Sequence, residues 1–547
     1  MISRFSVIIL TCCFVSGSAF ALAFEADVRN LIEAACIRCH DAETQTPLNM
    51  EELDYDLANP EAFRQMVKIF DRVQGREMPP RSEPRPKRAM LEKTLASMKF
   101  ALLEANLAAR QDQRVSLRRL SRLEYEYTLQ DLLGISDPLG KWVAGDAEIA
   151  DFDTIADGQQ MSAVHVRKYL ENADRALDSA IILGKRQFNG PHVFDYANAP
   201  YVERWFVDDG FAGGLLKKLP DAIGMFINFQ DGLRTDRIPQ WDRFGCCGFR
   251  LEYPGLYRVR AEFYAYQAYS PVTVALQQTN DKKSSSRMIG AFDLKAGETR
   301  VVDFVTFLEP DDYVYPTPYD VGQPKEGPNF AESEGRALTY GGEGVAIKWL
   351  SFEGPLVDTW PPPSTLELLV GLEIVERVAP QYSGEELGGF EVKLTKEPIE
   401  HVTDIVKRII PRAFRRTARE GEVEFFVSLA EPYIAEGYDF LEAARVPLRA
   451  ILSAPEFLYH IGEPGPLDDF ALATRLSYFL WKSMPDEALL QLALFGMLSE
   501  PEVLTQQVER MLNDEKSMRF VKDFLAQWLR LGDVDASNPN KEIYRDY

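Results

Sequence analysis

At 547 residues with 46% hydrophobic and 27% charged side chains, the composition is that of globular protein, which excludes wholesale disorder. The length exceeds what one core can organise and predicts roughly three to five domains. A formal charge of −23 gives a surface that repels phosphate backbones and anionic lipid, so nucleic acid is excluded as a partner class and the acidity reads as solubility.

The first 23 residues read as a signal peptide rather than as part of the fold. Arg4 provides a positive start, Phe5 to Val15 a short apolar run, and Ala19-Phe20-Ala21 or Ala21-Leu22-Ala23 a small-residue cleavage site. The run is too short to span a bilayer comfortably, which disfavours an uncleaved anchor. A Sec-type signal predicts a periplasmic or extracellular protein, and no later stretch reads as a transmembrane segment. Removing the leader takes Cys12 and Cys13 and leaves Cys36, Cys39, Cys246 and Cys247, two pairs that each need an explanation in an exported protein.

The first pair has one. Cys36-Ile37-Arg38-Cys39-His40 is the c-type haem attachment pattern. Two thiols separated by two residues on a helical turn reach both vinyl groups along one porphyrin edge, and the next side chain projects toward the iron. Leu31, Ile32 and Ala35 precede them on an apolar helical stripe. A thioredoxin-like CxxC needs no histidine and follows a strand. A zinc site needs further ligands, and no other histidine or cysteine lies within about a hundred residues. A plain disulfide between the two cysteines is the remaining alternative; with export expected, the reading is one covalent haem c, with Cys36 and Cys39 as tethers and His40 as an axial ligand.

Methionine is the common second axial partner of histidine. Met78 is the first choice, because Arg76-Glu77-Met78-Pro79-Pro80 disfavours helix and holds the thioether in an extended loop. Met66 belongs to an apolar stripe with Phe63, Val67, Phe70 and Val73 and reads as core, while Met50 in a loop stays open.

A polar connector, Arg81 to Arg88, leads to a helix from Ala89 to about Arg110. Ser121 and Glu124 form a capping box, Leu120 staples onto Tyr125, and Gly134 ends the helix. An acidic loop with Asp146, Glu148, Asp151, Asp153 and Asp157 lacks calcium-loop spacing and reads as solvated. A further helix runs from Ala163 to about Leu183. The period then changes: Gly255–Gln267, Val272–Leu276, Thr299–Leu308 and Gly344–Phe352 alternate as strands do, predicting an antiparallel sandwich over 191–357. Trp241, Tyr264, Tyr266, Tyr313, Tyr315 and Tyr319 are stacking candidates for polysaccharide, although most such rings are core or cross-strand pairs. Cys246-Cys247, adjacent in a loop, supports neither a disulfide nor a copper site strongly.

Trp360-Pro361-Pro362-Pro363 reads as a stiff linker, and the chain is helical from about 398. Leu472, Leu476, Phe479 and Leu480 form one stripe; Ser499 with Glu502 is expected to cap the next helix. His165, His192, His401 and His460 stand singly and read as surface or satisfied core residues rather than ligands. The expected fold is thus multidomain and mainly α, with an inserted antiparallel β-sandwich and a small all-α cytochrome c module. Its segments are a signal peptide (1–23), haem domain (24–110), helical domain (111–188), sandwich (191–357), linker region (358–397) and two helical domains (398–465 and 466–547).

These motifs resemble the exported multidomain proteins of planctomycete type that join a cytochrome c module to several domains of unknown function. Cys36 to His40 and Met78-Pro79-Pro80 match that cytochrome module. Arg118 to Tyr125, with Asp131-Leu132-Leu133-Gly134, resembles the opening of the next domain. Phe414-Arg415-Arg416, Ile451 to Leu458, Arg475 to Trp481 and Gln527-Trp528-Leu529 resemble the helical domains. The resemblance implies haem binding and electron exchange with a redox partner protein or small carrier, and supplies no substrate. Similar proteins continue beyond the segment matching Asn538-Pro539-Asn540, so truncation at Tyr547 is expected. Two other readings stay open: an oxidoreductase acting on extracellular polysaccharide, and a binding or scaffolding protein with a non-catalytic haem.

Overall fold

The computed structural model describes residues 24–43, 48–80, 82–111, 117–145, 152–156, 159, 161–196, 216–226, 251–280, 285–319, 321, 341–377, 388–462 and 465–531. The expected signal peptide, Trp241, Cys246, Cys247, most of the acidic loop and the stretch around Asn538 lie outside them. The chain divides into two compact units: Met1–Ser116 with Gly462–Leu467, and Leu117–Ile461 with Asp468–Tyr547.

The described part of the first unit is helical. Helix α1 covers 24–35, α2 Pro60–Gln74 and α3 Arg88–Gln111. Asn59 starts α2 by accepting a hydrogen bond from the Glu61 backbone N–H, and Pro60, which has no N–H to lose, takes the first turn. Each helix buries one stripe: Phe24, Val28, Leu31 and Ile32 from α1, Met66, Ile69 and Val73 from α2, and Met98 and Leu102 from α3. The spacing of three and four residues keeps each set on one face. Burying each such side chain stabilises the unit by about 1.5–3 kcal/mol.

The second unit mixes helix with antiparallel sheet. Strand β1 (Arg118–Arg119) leads into α4 (Arg122–Leu133). The capping box forms as the sequence predicts, with Ser121 and Glu124 each bonded to the other's backbone N–H. Gly134 closes α4 in the left-handed region (φ 68°), where a side chain would meet the following carbonyl. Helix α5 (Ala163–Ala180) follows.

Next come β2 (His192–Asp195), β3 (Leu216–Lys218), β4 (Ile223–Met225), β5 (Gly255–Tyr266), β6 (Val272–Asn280), β7 (Ser285–Leu294), β8 (Thr299–Leu308), β9 (Tyr313–Tyr319) and β10 (Gly344–Glu353). They form two antiparallel sheets. One has the order β3-β4-β10-β5-β8, with β2 also paired to β10, and the other is β7-β6-β9. Strand β5 alternates: Tyr257, Val259, Ala261 and Phe263 are buried, while Arg258 and Arg260 face Asp303 of β8. Val272, Val274, Leu276 and Val314 of the smaller sheet join Val259, Phe263, Ile347 and Leu350 of the larger in one core. Strand β9 escapes the alternation rule because Pro316 and Pro318 interrupt it. Among the described residues it pairs with β6 alone, and an edge position tolerates a residue without an N–H.

The segment expected as a linker holds a short helix, Pro363–Leu368, and the hairpin of β11 (Glu373–Glu376) and β12 (Phe390–Lys393). Beyond it lie helices Pro398–Phe414, Glu422–Ser428, Phe440–Leu452, Asp469–Trp481, Glu487–Leu494, Pro501–Leu512 and Met518–Trp528, with β13 (Tyr459–His460) pairing back onto β1. The expected Ser499 cap is not made. Pro501 occupies the first turn and places the N-cap at Glu500, without a side-chain bond. Tyr125, Leu129 and Leu132 of α4, Tyr169 and Leu177 of α5, Ile405 and Ile409, Ile451, Phe457 and Tyr478 share a single core. Segments read from sequence as separate helical domains therefore pack together. Among the described residues no helix is long and apolar enough to cross a membrane.

Candidate functional site

Helix α1 delivers the CxxCH segment. Its apolar stripe is anchored in the core, and the chain leaves the last turn through Cys36 N–H and Ile37 N–H, both bonded to the Ile32 carbonyl (2.8 and 3.0 Å). A second turn follows, in which the N–H groups of Cys39 and His40 donate to the Cys36 carbonyl at 3.1 Å. Cys36 and Cys39 are thus one turn apart, with no disulfide between them. Cys36 is half-buried against the core and Cys39 is exposed. Burial, with a smaller effect from Cys39, pushes the Cys36 thiol up to about 11, so it stays protonated at neutral pH.

His40 is half-buried, and its Nδ1 lies 3.2 Å from the Leu48 carbonyl oxygen. A carbonyl only accepts, so this contact places the ring hydrogen on Nδ1 and the lone pair on Nε2. That is the tautomer a metal-bound imidazole uses when a backbone carbonyl fixes its orientation. The loop closes on the same residue: Met50 N–H donates to the His40 carbonyl at 2.8 Å.

The methionines differ in burial. Met66 is fully buried in the core and Met50 nearly so, whereas Met78 is 39% exposed in the turn after α2. Its backbone N–H donates to the Arg72 carbonyl, which ties the loop to the helix end. Met78 is accordingly the most exposed of the three.

The stacking candidates on the sheets fare unevenly. Tyr313 and Tyr315 are buried, Tyr264 and Tyr266 are half-buried, and the Tyr264 hydroxyl donates to Asp221. Tyr319 is exposed. No group of three His, Cys, Asp or Glu side chains able to hold a metal ion occurs among the described residues.

A second polar constellation, missed from sequence, lies where β1, β13, α4 and helix Asp469–Trp481 meet. Arg118 grips Glu124 with two bonds (2.7 and 3.0 Å), and Glu124 also accepts from the Ser121 N–H. Arg415 donates to the carbonyls of Glu456, Phe457 and Tyr459 and to the Tyr478 hydroxyl. Thr128 lies 2.8 Å from that hydroxyl. His460 packs edge-on against the Tyr478 ring at 4.4 Å. Burial, and the positive charges of Arg118, Arg415 and Arg475, hold its imidazole well below its ordinary value.

Two of the other histidines are satisfied: His401 Nε2 accepts from two backbone N–H groups, and His165 completes a capping box with Ser162. His460 differs, because its buried Nε2 has no hydrogen-bond partner. No local pattern could have revealed this, since the partners come from segments some 340 residues apart in the chain, Arg118 to His460.

Three segments match known families. Residues 118–182 match PSD3: Protein of unknown function (DUF1587), residues 401–461 match PSD5: Protein of unknown function (DUF1595), and residues 467–547 match PSD4: Protein of unknown function (DUF1592). These are the planctomycete cytochrome-c-associated domains, and they support a multidomain organisation for these segments of the chain. No curated protein matches. Solved structures with partial similarity include "Structure of Eiger TNF from S. frugiperda", 11% identical over 32% of this chain and 96% of that one, with a TM-score of 0.14. Another is "Globular Domain of Zebrafish Complement 1qA protein", 10% identical over 23% and 92%, with a TM-score of 0.13. These scores are too low to define a shared fold.

Proposed function

We propose that the chain is an exported c-type haem protein that passes single electrons, with its later domains serving as accessory modules. The observation that carries this reading is the donor set on the turn after α1: two cysteines one turn apart and not joined to each other, followed by an imidazole whose Nδ1 is held by the Leu48 carbonyl. Each thiol would add across a vinyl double bond, forming a carbon–sulfur bond while its hydrogen goes to the adjacent carbon. Both thiols must be reduced for this. His40, through Nε2, and Met78, through its sulfur, would be the residues that hold the iron. The group would supply a one-electron iron couple, and a His/Met pair would favour a positive potential. The helical unit of α1 to α3 serves as the cytochrome module in this reading, and the two sheets sharing one core serve as a β-sandwich.

The decisive measurement is an absorption spectrum, oxidised and reduced, with the mass of the protein purified from a host that matures c-type haem. Colour and a mass raised by one porphyrin are expected; a colourless chain of unmodified mass ends this reading. Adding polysaccharides to the oxidised protein tests the oxidoreductase alternative, which requires the haem to become reduced.

A further inference from the structure

One side of helix Pro398–Phe414 borders a cavity of about 530 Å³, which Lys407, Arg408, Pro411 and Arg412 line. Their spacing puts them on a single helix face. Much of the remaining lining is apolar. Leu132, Leu133, Leu368 and Leu490 are buried, whereas Val370 and Leu494 are 53% and 52% exposed. Phe470 is the one ring in the lining, so hydrocarbon contact rather than ring stacking sets what fits there. A concave site of this size, apolar with a few polar groups, suits a small molecule. All three family-matched segments wall it: Leu132 and Leu133 from the first, Lys407 and Arg412 from the second, Leu490 and Leu494 from the third.

The cations on the helix wall are not neutralised. Arg408 donates to the Leu368 and Val370 carbonyls, both at 2.9 Å, and Arg412 to the Asp131 carbonyl at 3.2 Å. These acceptors carry no charge, and Lys407, Arg408 and Arg412 form no ion pair among the described residues. Arg416, also in the lining, is spent on Glu422 at 2.6 and 2.9 Å. Two carboxylates share the lining: Glu487, which accepts from Gln491, and the exposed Glu367. Those just outside it are themselves paired, Asp404 with Lys396 and Asp131 with Arg519. The cavity therefore keeps an excess of positive charge in a chain of net charge −23. We propose that it binds a medium-chain aliphatic carboxylate. The carboxylate lies on Lys407 and Arg412, and the hydrocarbon chain covers Leu490 and Leu494, taking half-exposed apolar surface out of water. No residue is shared with the haem reading, so either can fail alone.

Calorimetric titration of the full chain with decanoate, hexanoate, acetate and decyltrimethylammonium tests the proposal. Decanoate carries both charge and chain, acetate lacks the chain, and the ammonium reverses the charge. Saturable decanoate binding is expected, at least about tenfold tighter than acetate or the ammonium. From hexanoate to decanoate the affinity should rise by up to about fourfold per methylene. Lys407→Glu and Leu494→Glu alter exposed side chains and should leave the circular dichroism unchanged. Each should weaken decanoate binding about tenfold or more. Absence of saturable binding, equal affinity for decanoate and the ammonium, or full decanoate affinity in either variant overturns the site. Self-association that Leu494→Glu abolishes, without decanoate binding, gives the cavity to a second copy of the chain and overturns it too.

Discussion

The turn after α1 and the cluster around His460 are opposite ways of building a chemical site. In the first, five consecutive residues carry the donors, and the fold only presents them: the sulfur of Cys39 is exposed and the imidazole of His40 is held by one carbonyl eight residues on. In the second, single residues from distant segments converge, the charges are buried, and removing one disturbs several others. Local sites tolerate change around them, whereas convergent ones depend on the core that assembles them.

The largest expected effect falls on the local site. Changing Cys36 and Cys39 together to alanine should abolish covalent haem, read as complete loss of haem staining on a denaturing gel; retained stain would mean another attachment point. On the convergent side, Glu124→Ala leaves the Arg118 guanidinium unpaired and removes half of the capping box of α4. A loss of about 3–5 kcal/mol is expected in denaturant unfolding. A change below about 1 kcal/mol would show that the pair is solvated and the contrast overstated.

Asp137 offers a pH test of burial in the same helical core. Burial raises its carboxyl from 3.8 to about 6, although the Ser179 hydroxyl donates to it at 2.6 Å. Between these values the folded state binds more protons than the unfolded state, so the group's contribution falls as pH rises from about 4 to 6 and stays reduced above that. Asp137→Asn should abolish this fall, leaving the variant favoured by about 2–3 kcal/mol at neutral pH relative to its standing at pH 4. Parallel stability curves for the two proteins would remove burial as the cause. The smallest stability effect is expected at Met78, which is exposed. Met78→Ala should alter unfolding by no more than about 0.5 kcal/mol, yet eliminate the sulfur-to-iron charge-transfer band of the haem protein. An unchanged band would move the axial ligand elsewhere.

Much of the scaffold was legible in advance because it follows short-range rules. The Ser121–Glu124 box, the Gly134 stop and the strands at 255, 299 and 344 depend on residues within a few positions of each other. The expectations that shifted are those where a local rule met a competitor. Ser499 lost its capping role to the fixed φ of Pro501, and β9 stayed hidden because its prolines are tolerated only at a sheet edge.

Sequence alone determined the CxxCH pattern, the acidic balance and the local helix signals, since each is written in adjacent residues. Tertiary structure decided that α4, α5 and the later helices share one core, and that His460 is left with an unpaired nitrogen 4.0 Å from Glu124. The physical reason is burial. Whether a polar atom finds a partner depends on which distant chain segments exclude water around it, and no periodicity along the chain records that.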